Sequence, residues 1–108
     1  MKSVRVELLV VPGCPHESAA AAVLSAALQD IGLGTLGYTV TVIDSAHDAE
    51  QCHFVGSPTI CVDGADIFPE PDRPAALACR IYPGQRGVPE LRALRQALKR
   101  AAAASTSR

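Results

Sequence analysis

An apolar run that ends at a Pro-Gly turn and a cysteine constrains the fold of this chain more than any other stretch. Residues 8–11 are all apolar, Pro12-Gly13 follows, and Cys14 stands just before an alanine-rich segment. A continuous apolar run is typical of a strand buried in a covered sheet, while the apolar residues of the following segment recur at helical spacing. The sequence therefore predicts a strand, a tight turn and a helix, with Cys14 at the first turn of that helix.

Cys14 is placed where a thiol is favoured as a nucleophile. The first backbone N–H groups of a helix have no partner within the helix, and the positive end of the helix dipole lies there. Both effects favour a thiolate over a thiol. The carboxyl ends of strands are also where open α/β sheets bind ligands. We therefore expect any chemistry of this chain to centre on Cys14.

The rest of the chain alternates predicted strands with predicted helices in one domain, residues 1–108. Alternating or β-branched apolar runs predict strands at residues 3–11, 38–43, 59–62 and 65–68. Helical spacing predicts helices at residues 14–32, at 46–53 and from 89 onward, with one or two helical turns at 75–82. Residues 3–102 are expected to form the core, with an insertion over residues 69–88 and a frayed tail over residues 103–108.

These elements predict an α/β fold with the order βαβαββα. A strand-helix-strand unit favours a right-handed parallel crossover. Asp63-Gly64, between the last two predicted strands, is a strong hairpin signal and makes that pair antiparallel. Together they predict a mixed four-stranded sheet with helices on both faces.

The composition argues against two classes of partner. A net charge of −1 gives no clustered basic surface for phosphates, and 4% aromatic residues with no Trp give no base-stacking platform. No apolar stretch is long enough to span a bilayer, and Glu7 interrupts the run that resembles a secretion signal. We expect no nucleic-acid or membrane partner and a cytoplasmic location, where cysteines are kept reduced for chemistry or packing.

Two motifs resemble those of the thioredoxin fold, namely Pro12-Gly13-Cys14-Pro15 at the first helix and Ser57-Pro58-Thr59 before the third strand. With Gly56 and with Cys79-Arg80-Ile81-Tyr82, the chain is similar to small bacterial thioredoxin-like proteins that carry Gly-Cys-Pro, Gly-Ser-Pro-Thr and Cys-Arg-x-Tyr segments. Some members of that group are labelled alkylmercury lyases. The resemblance covers residues 4–102 and implies a single thioredoxin-like domain. It also implies a cis peptide bond before Pro58, packed beside Cys14.

The chain departs from the thioredoxin pattern at Glu17, which stands where a second cysteine completes Cys-x-x-Cys. A local dithiol resolves its own mixed disulfide by intramolecular attack, so this chain needs a monothiol reaction or a distant second cysteine. Cys79 is the candidate for this second cysteine, as a resolving thiol or as a second soft ligand. The alternative is that Cys79 is a buried residue that anchors a helical turn. Glu17 is interpreted as a first-turn acid favoured by the helix dipole, with proton acceptance from Cys14 as the alternative.

The other polar candidates receive structural interpretations. Cys61 lies between apolar residues of a predicted strand and is expected in the core. Arg80 is expected to be exposed, with binding of a substrate anion as the alternative. His16 is also expected to be exposed, and its alternative is stabilisation of a thiolate. Cys52 and His53 are adjacent on a helix and point in different directions, which is poor geometry for one metal ion. No metal site and no cofactor are predicted.

Three functions remain open at this stage. In the first, an oxidoreductase performs thiol–disulfide exchange or monothiol chemistry with Cys14 as nucleophile and Cys79 as partner thiol. Its substrate is a thiol- or disulfide-bearing small molecule or protein, bound in an extended form by backbone groups of Ser57, Pro58 and Thr59. The second function is the handling of a thiophilic metal, such as mercuric ion or an organomercurial. The third is a non-catalytic interaction domain of thioredoxin fold.

Overall fold

A computed structural model describes residues 4–106, within which four strands form one mixed sheet. The strands are β1 (Val6–Val10), β2 (Thr39–Val42), β3 (Thr59–Val62) and β4 (Ala65–Asp66), in the spatial order β2-β1-β3-β4. β2 pairs with β1 in parallel, whereas β3 pairs antiparallel with both β1 and β4. The predicted mixed four-stranded sheet is confirmed. The predicted first residue of β1, Ser3, lies outside the described residues.

Three helices lie between and after these strands in the described part of the chain. They are α1 (Glu17–Asp30), α2 (Ala46–Gln51) and α3 (Leu91–Thr106), so the elements follow the predicted order βαβαββα. Ser45 caps α2, because its side chain accepts a hydrogen bond from the Asp48 N–H at 3.1 Å. Among residues 4–106, no helix is long and apolar enough to cross a membrane.

The two faces of the sheet carry separate cores. Val6, Leu8 and Val10 alternate along β1, so their side chains share one face, which α1 and α3 cover. On the opposite face, Leu9 and Cys61 pack beneath the α2 region. The other buried residues of this second core are Ile43, Ala49 and Phe54. Helices therefore cover both faces of the sheet, as predicted.

The insertion, residues 69–88, differs from its prediction because it contains no helical turn. Residues 75–82 run in an extended form, in which Cys79 pairs with Ser57 in a parallel bridge and Tyr82 pairs with Arg86 in an antiparallel one. Burial alternates accordingly: Arg80 and Tyr82 are buried, whereas their neighbours are exposed. The predicted helix is wrong because the extended form buries two large side chains against the sheet.

Most elements begin or end one to three residues from their predicted bounds, and the carboxyl ends of β4 and α3 differ for identifiable reasons. β4 stops at Asp66, because the carboxylate of that residue accepts a hydrogen bond from the Phe68 N–H at 2.8 Å and turns the chain. α3 continues to Thr106, so the tail predicted to fray from residue 103 is helical up to that point. Alanine is the strongest helix former and Ala101 packs against the core, which accounts for the extension. Residues 107–108 of the predicted tail lie outside the described residues.

Candidate functional site

Cys14 lies in the turn that joins β1 to α1. Its N–H donates to the Val11 carbonyl at 3.2 Å, and its own carbonyl accepts from the Glu17 N–H at 3.3 Å. Gly13 has a φ of +69°, in the left-handed region that favours glycine. Cys14 therefore precedes the helix instead of standing in its first turn, because Pro15 disfavours a helical conformation in the residue before it.

A serine hydroxyl reaches the sulfur of Cys14. The Ser57 Oγ–H donates to Cys14 Sγ at 2.9 Å, and the same oxygen accepts a hydrogen bond from the Val11 N–H at 3.1 Å. Ser57 is 1% exposed, whereas Cys14 is half-buried. Because the Val11 N–H occupies a lone pair of the hydroxyl, the proton is directed at the sulfur, and hydrogen bonds in such a chain strengthen one another. A hydrogen bond of this kind stabilises negative charge on the sulfur.

The predicted cis peptide bond before Pro58 is confirmed. It lies in a loop whose polar groups have partners within the chain. The Pro58 carbonyl accepts from the Tyr82 hydroxyl at 2.6 Å. The Thr59 hydroxyl donates to the Gly56 carbonyl at 2.6 Å and accepts from Arg80 at 3.0 Å. Ser57, Pro58 and Thr59 are all buried.

The backbone of Ser57 is also occupied, which differs from the expectation that it faces an extended substrate. Its N–H donates to the Ala78 carbonyl at 2.7 Å, and its carbonyl accepts from the Arg80 N–H at 2.9 Å. The insertion thus pairs with the chain at Ser57 through an isolated β-bridge. A free edge is absent at this residue because the chain pairs with itself there.

Cys79 is the residue of the insertion that is opposite Ser57 in this pairing. Paired residues on neighbouring strands project towards the same face of a sheet. The Cys79 side chain therefore leaves the backbone on the side where Ser57 contacts Cys14. Cys79 is exposed, which excludes the buried anchor considered for it, and both cysteines are free thiols. Ser57 thus contacts Cys14 through its side chain and pairs with Cys79 through its backbone.

Arg80 is buried, and the expectation that it is solvated was wrong. Its side chain is fully inaccessible and donates hydrogen bonds to three acceptors: Thr59 Oγ1 at 3.0 Å, Asp66 Oδ2 at 2.8 Å and the Phe68 carbonyl. It also forms an ion pair with Glu70, whose Oε2 lies 3.3 Å away. A guanidinium has five N–H donors in a planar fork, which suits several acceptors at once. Arg80 joins the cis-proline loop to β4 and to the insertion.

Tyr82 completes the attachment of the insertion. The guanidinium of Arg80 lies 4.9 Å from the centre of the Tyr82 ring, and Phe68 meets the same ring edge to face at 5.5 Å. Burial raises the pKa of the Tyr82 phenol, so that its hydroxyl remains a donor to Pro58. The Cys-Arg-x-Tyr segment is therefore structural at its second and fourth positions.

His16 is half-buried, which also differs from its prediction. Its imidazole lies against the backbone of Gly87, where an added Cβ would stand 2.5 Å from the ring. No other residue fits at position 87 without displacing the ring, because contacts below 3 Å are repulsive. The insertion therefore contacts the chain on both sides of Cys14, at Ser57 and at His16.

The remaining cysteines lie apart from this cluster. Cys61 is 4% exposed and belongs to the core, as predicted. Cys52 is exposed and follows α2, with His53 beside it in the left-handed region at a φ of +49°. Within residues 4–106, no three His, Cys, Asp or Glu side chains are arranged to hold a metal ion.

The Cys61 thiol makes stability depend on pH. Burial, reinforced by the charges of Asp66 and Glu7, raises its pKa from 9.0 to about 12. Above pH 9.0 the unfolded chain releases this proton while the folded chain keeps it. We therefore expect the free energy of unfolding to fall by up to about 1.4 kcal/mol per pH unit through this range. Urea unfolding at a series of alkaline pH values measures the slope.

The variant Cys61→Ala serves as the control for this prediction. Tyr82 adds a loss of the same sign at higher pH, because its pKa is raised as well. The Ala variant is expected to lose the part of the slope that begins near pH 9.0 and to keep the part due to Tyr82. An unchanged slope in Cys61→Ala would show that another group controls alkaline unfolding.

Comparison with known proteins identifies no relative of this chain. No protein-family model, curated protein or solved structure shows significant similarity to it.

Proposed function

We propose that this chain is a thioredoxin-like thiol–disulfide oxidoreductase in which Cys14 is the nucleophile and Cys79 the resolving thiol. One observation carries the proposal: Ser57 donates a hydrogen bond to Cys14 Sγ through its side chain while its backbone pairs with Cys79. Ser57 therefore links the residue that bears one thiol to the residue that bears the other, and intramolecular disulfide exchange needs two thiols that can come into contact.

The fold class supports the thioredoxin-like part of the proposal. The strand order β2-β1-β3-β4, with one parallel and two antiparallel pairs, has the cysteine turn at the carboxyl end of β1. The cis bond before Pro58 immediately precedes β3. Both features agree with the resemblance at Gly13-Cys14-Pro15 and Ser57-Pro58-Thr59. The chain requires no cofactor for this reaction.

The proposed reaction has two exchange steps. The Cys14 thiolate attacks a substrate disulfide RS–SR, which forms Cys14–S–S–R and releases one RS⁻. The Cys79 thiolate then attacks the Cys14 sulfur, which forms the Cys14–Cys79 disulfide and releases the second RS⁻. The substrate gains two electrons and the two cysteines lose them. In the cytoplasm, the location that we propose, cellular thiols return the pair to its reduced form.

Oxidation followed by disulfide mapping tests the proposal. The reduced chain is equilibrated with glutathione disulfide, quenched with acid, unfolded in denaturant, alkylated with N-ethylmaleimide so that the buried Cys61 is also reached, and mapped by proteolysis and mass spectrometry. We expect one intramolecular disulfide, Cys14–Cys79, with Cys52 and Cys61 recovered as alkylated thiols. A chain in which Cys52 oxidises as readily as Cys14, or in which no Cys14–Cys79 bond forms, overturns the proposal.

Ser57→Ala tests the hydrogen bond that activates Cys14. Removing a hydrogen bond to a charged group costs about 1.5–3 kcal/mol. Because a less stabilised thiolate is also more nucleophilic, about half of this cost appears in the rate, and we expect alkylation of Cys14 to slow by about 4- to 15-fold. The rate is measured with iodoacetamide at neutral pH and followed by mass spectrometry. Ser45→Ala is the matched control, because it also removes a serine acceptor of a backbone N–H but contacts no thiol. Equal Cys14 rates in the two variants would remove Ser57 from the reaction.

A further inference from the structure

We infer that the substrate of this two-thiol centre is a low-molecular-weight disulfide and not a disulfide within an extended polypeptide. The inference rests on the proposed function and concerns what can reach Cys14. An extended polypeptide binds to a sheet by pairing its backbone with a free strand edge. The availability of such an edge near Cys14 therefore decides the class of substrate.

The edge nearest to Cys14 is occupied by the chain itself. Ser57 contacts the Cys14 sulfur and is the residue at which a substrate strand would bring its own sulfur into range. Both backbone groups of Ser57 already bond to the insertion, its N–H to Ala78 and its carbonyl to Arg80. A substrate strand would have to displace the insertion before it could pair there.

The insertion is attached by contacts that resist displacement. The Arg80 side chain is completely buried and pairs with Asp66 of β4, so displacing the insertion would leave that carboxylate without its cation. Tyr82 adds a hydrogen bond to Pro58. The backbone of Gly56 packs closely against Arg80, since a Cβ added at Gly56 would stand 2.8 Å from Arg80 Cβ. The occupied edge is therefore a stable part of the fold.

The new edge that the insertion creates lies too far from Cys14. A substrate strand paired with the outer side of Cys79 would lie one strand spacing, about 4.8 Å, farther from Ser57 than the insertion does. Reacting atoms must approach to about 3–3.5 Å before attack. A polypeptide bound at this outer edge therefore presents its disulfide out of reach of the Cys14 sulfur.

A small disulfide needs no strand edge. Pro12, Gly13 and Pro15 around the half-buried Cys14 are exposed, so a small molecule can approach through this turn. The insertion then sets the limit on size, because it contacts Ser57 on one side and His16 on the other. The same segment also supplies Cys79 for the second exchange step.

Paired reagents that share a mercaptoethanol half test the inference, and only transfer of the peptide half counts as reaction with the peptide. The reduced full-length chain is reacted at neutral pH with hydroxyethyl disulfide, or with an extended cysteine peptide carried as its mixed disulfide with mercaptoethanol. Rates at Cys14 and Cys52 are followed by mass spectrometry after acid quenching. Cys52 is exposed and serves as the reference for the intrinsic reactivity of each reagent. Relative to Cys52, we expect Cys14 to prefer the small reagent by about tenfold or more.

Two other outcomes are informative in different ways. If Cys14 reacts with the peptide as readily as with hydroxyethyl disulfide, relative to Cys52, the inferred substrate class is wrong and the proposed function stands. If Cys52 reacts with both reagents while Cys14 reacts with neither, the proposed function fails and the inferred substrate class fails with it.

Discussion

Arg80→Met is expected to destabilise the folded chain by about 3–5 kcal/mol, the cost of removing one partner from a buried ion pair. Methionine keeps much of the apolar volume and removes the charge and all donors. Asp66, only 16% exposed in its side chain, would then be left without its cation. Thr59 and the Phe68 carbonyl would also lose a donor. Urea unfolding followed by circular dichroism measures the change.

Arg73→Met is the matched control for this prediction. Arg73 pairs with Glu70 at 3.1 Å, but its side chain is 46% exposed. Exposed ion pairs contribute about 0–1 kcal/mol, so this variant is expected to unfold close to wild type. A loss of similar size in both variants would show that the burial of Arg80 is not what makes it important.

The double variant Arg80→Met with Asp66→Asn separates charge from packing. Removing both ends of a buried ion pair costs less than removing one, because no charge is left uncompensated. We expect the double variant to recover part of the stability lost in Arg80→Met, by about 1 kcal/mol or more. If the two losses simply add, the ion pair contributes little and the packing of the Arg80 stem accounts for the effect.

Local patterns along the chain were sufficient to predict the sheet and its helices. β3 was predicted with its observed bounds, because Pro58 on one side and Asp63-Gly64 on the other limit it sharply. The two cores follow from the alternation along β1, where successive residues must face opposite sides of the sheet. These features depend on near neighbours in sequence, which is why sequence patterns recover them.

The insertion was not predictable in the same way. Residues 75–82 contain several helix formers, yet they are extended because Ser57, about twenty residues earlier, supplies a backbone partner. Propensity is a weak prior that tertiary contacts override. Cys79, Arg80 and Ile81 alternate with the period of a strand, but this pattern predicts the wrong face, since Arg80 and Tyr82 are buried whereas Cys79 and Ile81 are exposed.

The candidate site was predicted in its members but not in its connections. Cys14, Cys79 and Ser57 were all singled out, whereas the hydrogen bond from Ser57 to the sulfur was not foreseen. Arg80 was expected at the surface because an isolated arginine in a sequence gives no indication of its partners. Asp66 and Glu70 become its partners only once the insertion folds against β4.

Cys79→Ser is expected to trap the reaction after its first step. The variant keeps Cys14 and its contact with Ser57, so attack on hydroxyethyl disulfide still forms the mixed disulfide at Cys14. No second thiol is then available on the same side of Ser57 to displace it. We expect the adduct at Cys14 to accumulate to about one per chain, whereas wild type converts to the Cys14–Cys79 disulfide. Peptide mapping by mass spectrometry after acid quenching measures both species and separates them from any adduct at the exposed Cys52.

Cys52→Ser and Cys14→Ser are the controls for this experiment. Cys52 is exposed like Cys79 but lies after α2, away from Ser57, so its loss should leave the wild-type product unchanged. Cys14→Ser should form no adduct at position 14 and no intramolecular disulfide. If Cys79→Ser accumulates no more Cys14 adduct than wild type, Cys79 is not the resolving thiol.

The same set of variants distinguishes two-thiol from monothiol chemistry, the two forms of the first function that the sequence left open, and distinguishes both from a non-catalytic domain. An intramolecular thiol at high effective concentration outcompetes a thiol from solution, so a two-thiol enzyme shows a large difference between wild type and Cys79→Ser. A monothiol enzyme shows the same adduct in both, because solution thiols resolve it in each. A non-catalytic domain shows Cys14 reacting no faster than the exposed Cys52. The hydrogen bond from Ser57 and the pairing with Cys79 favour the first of these results.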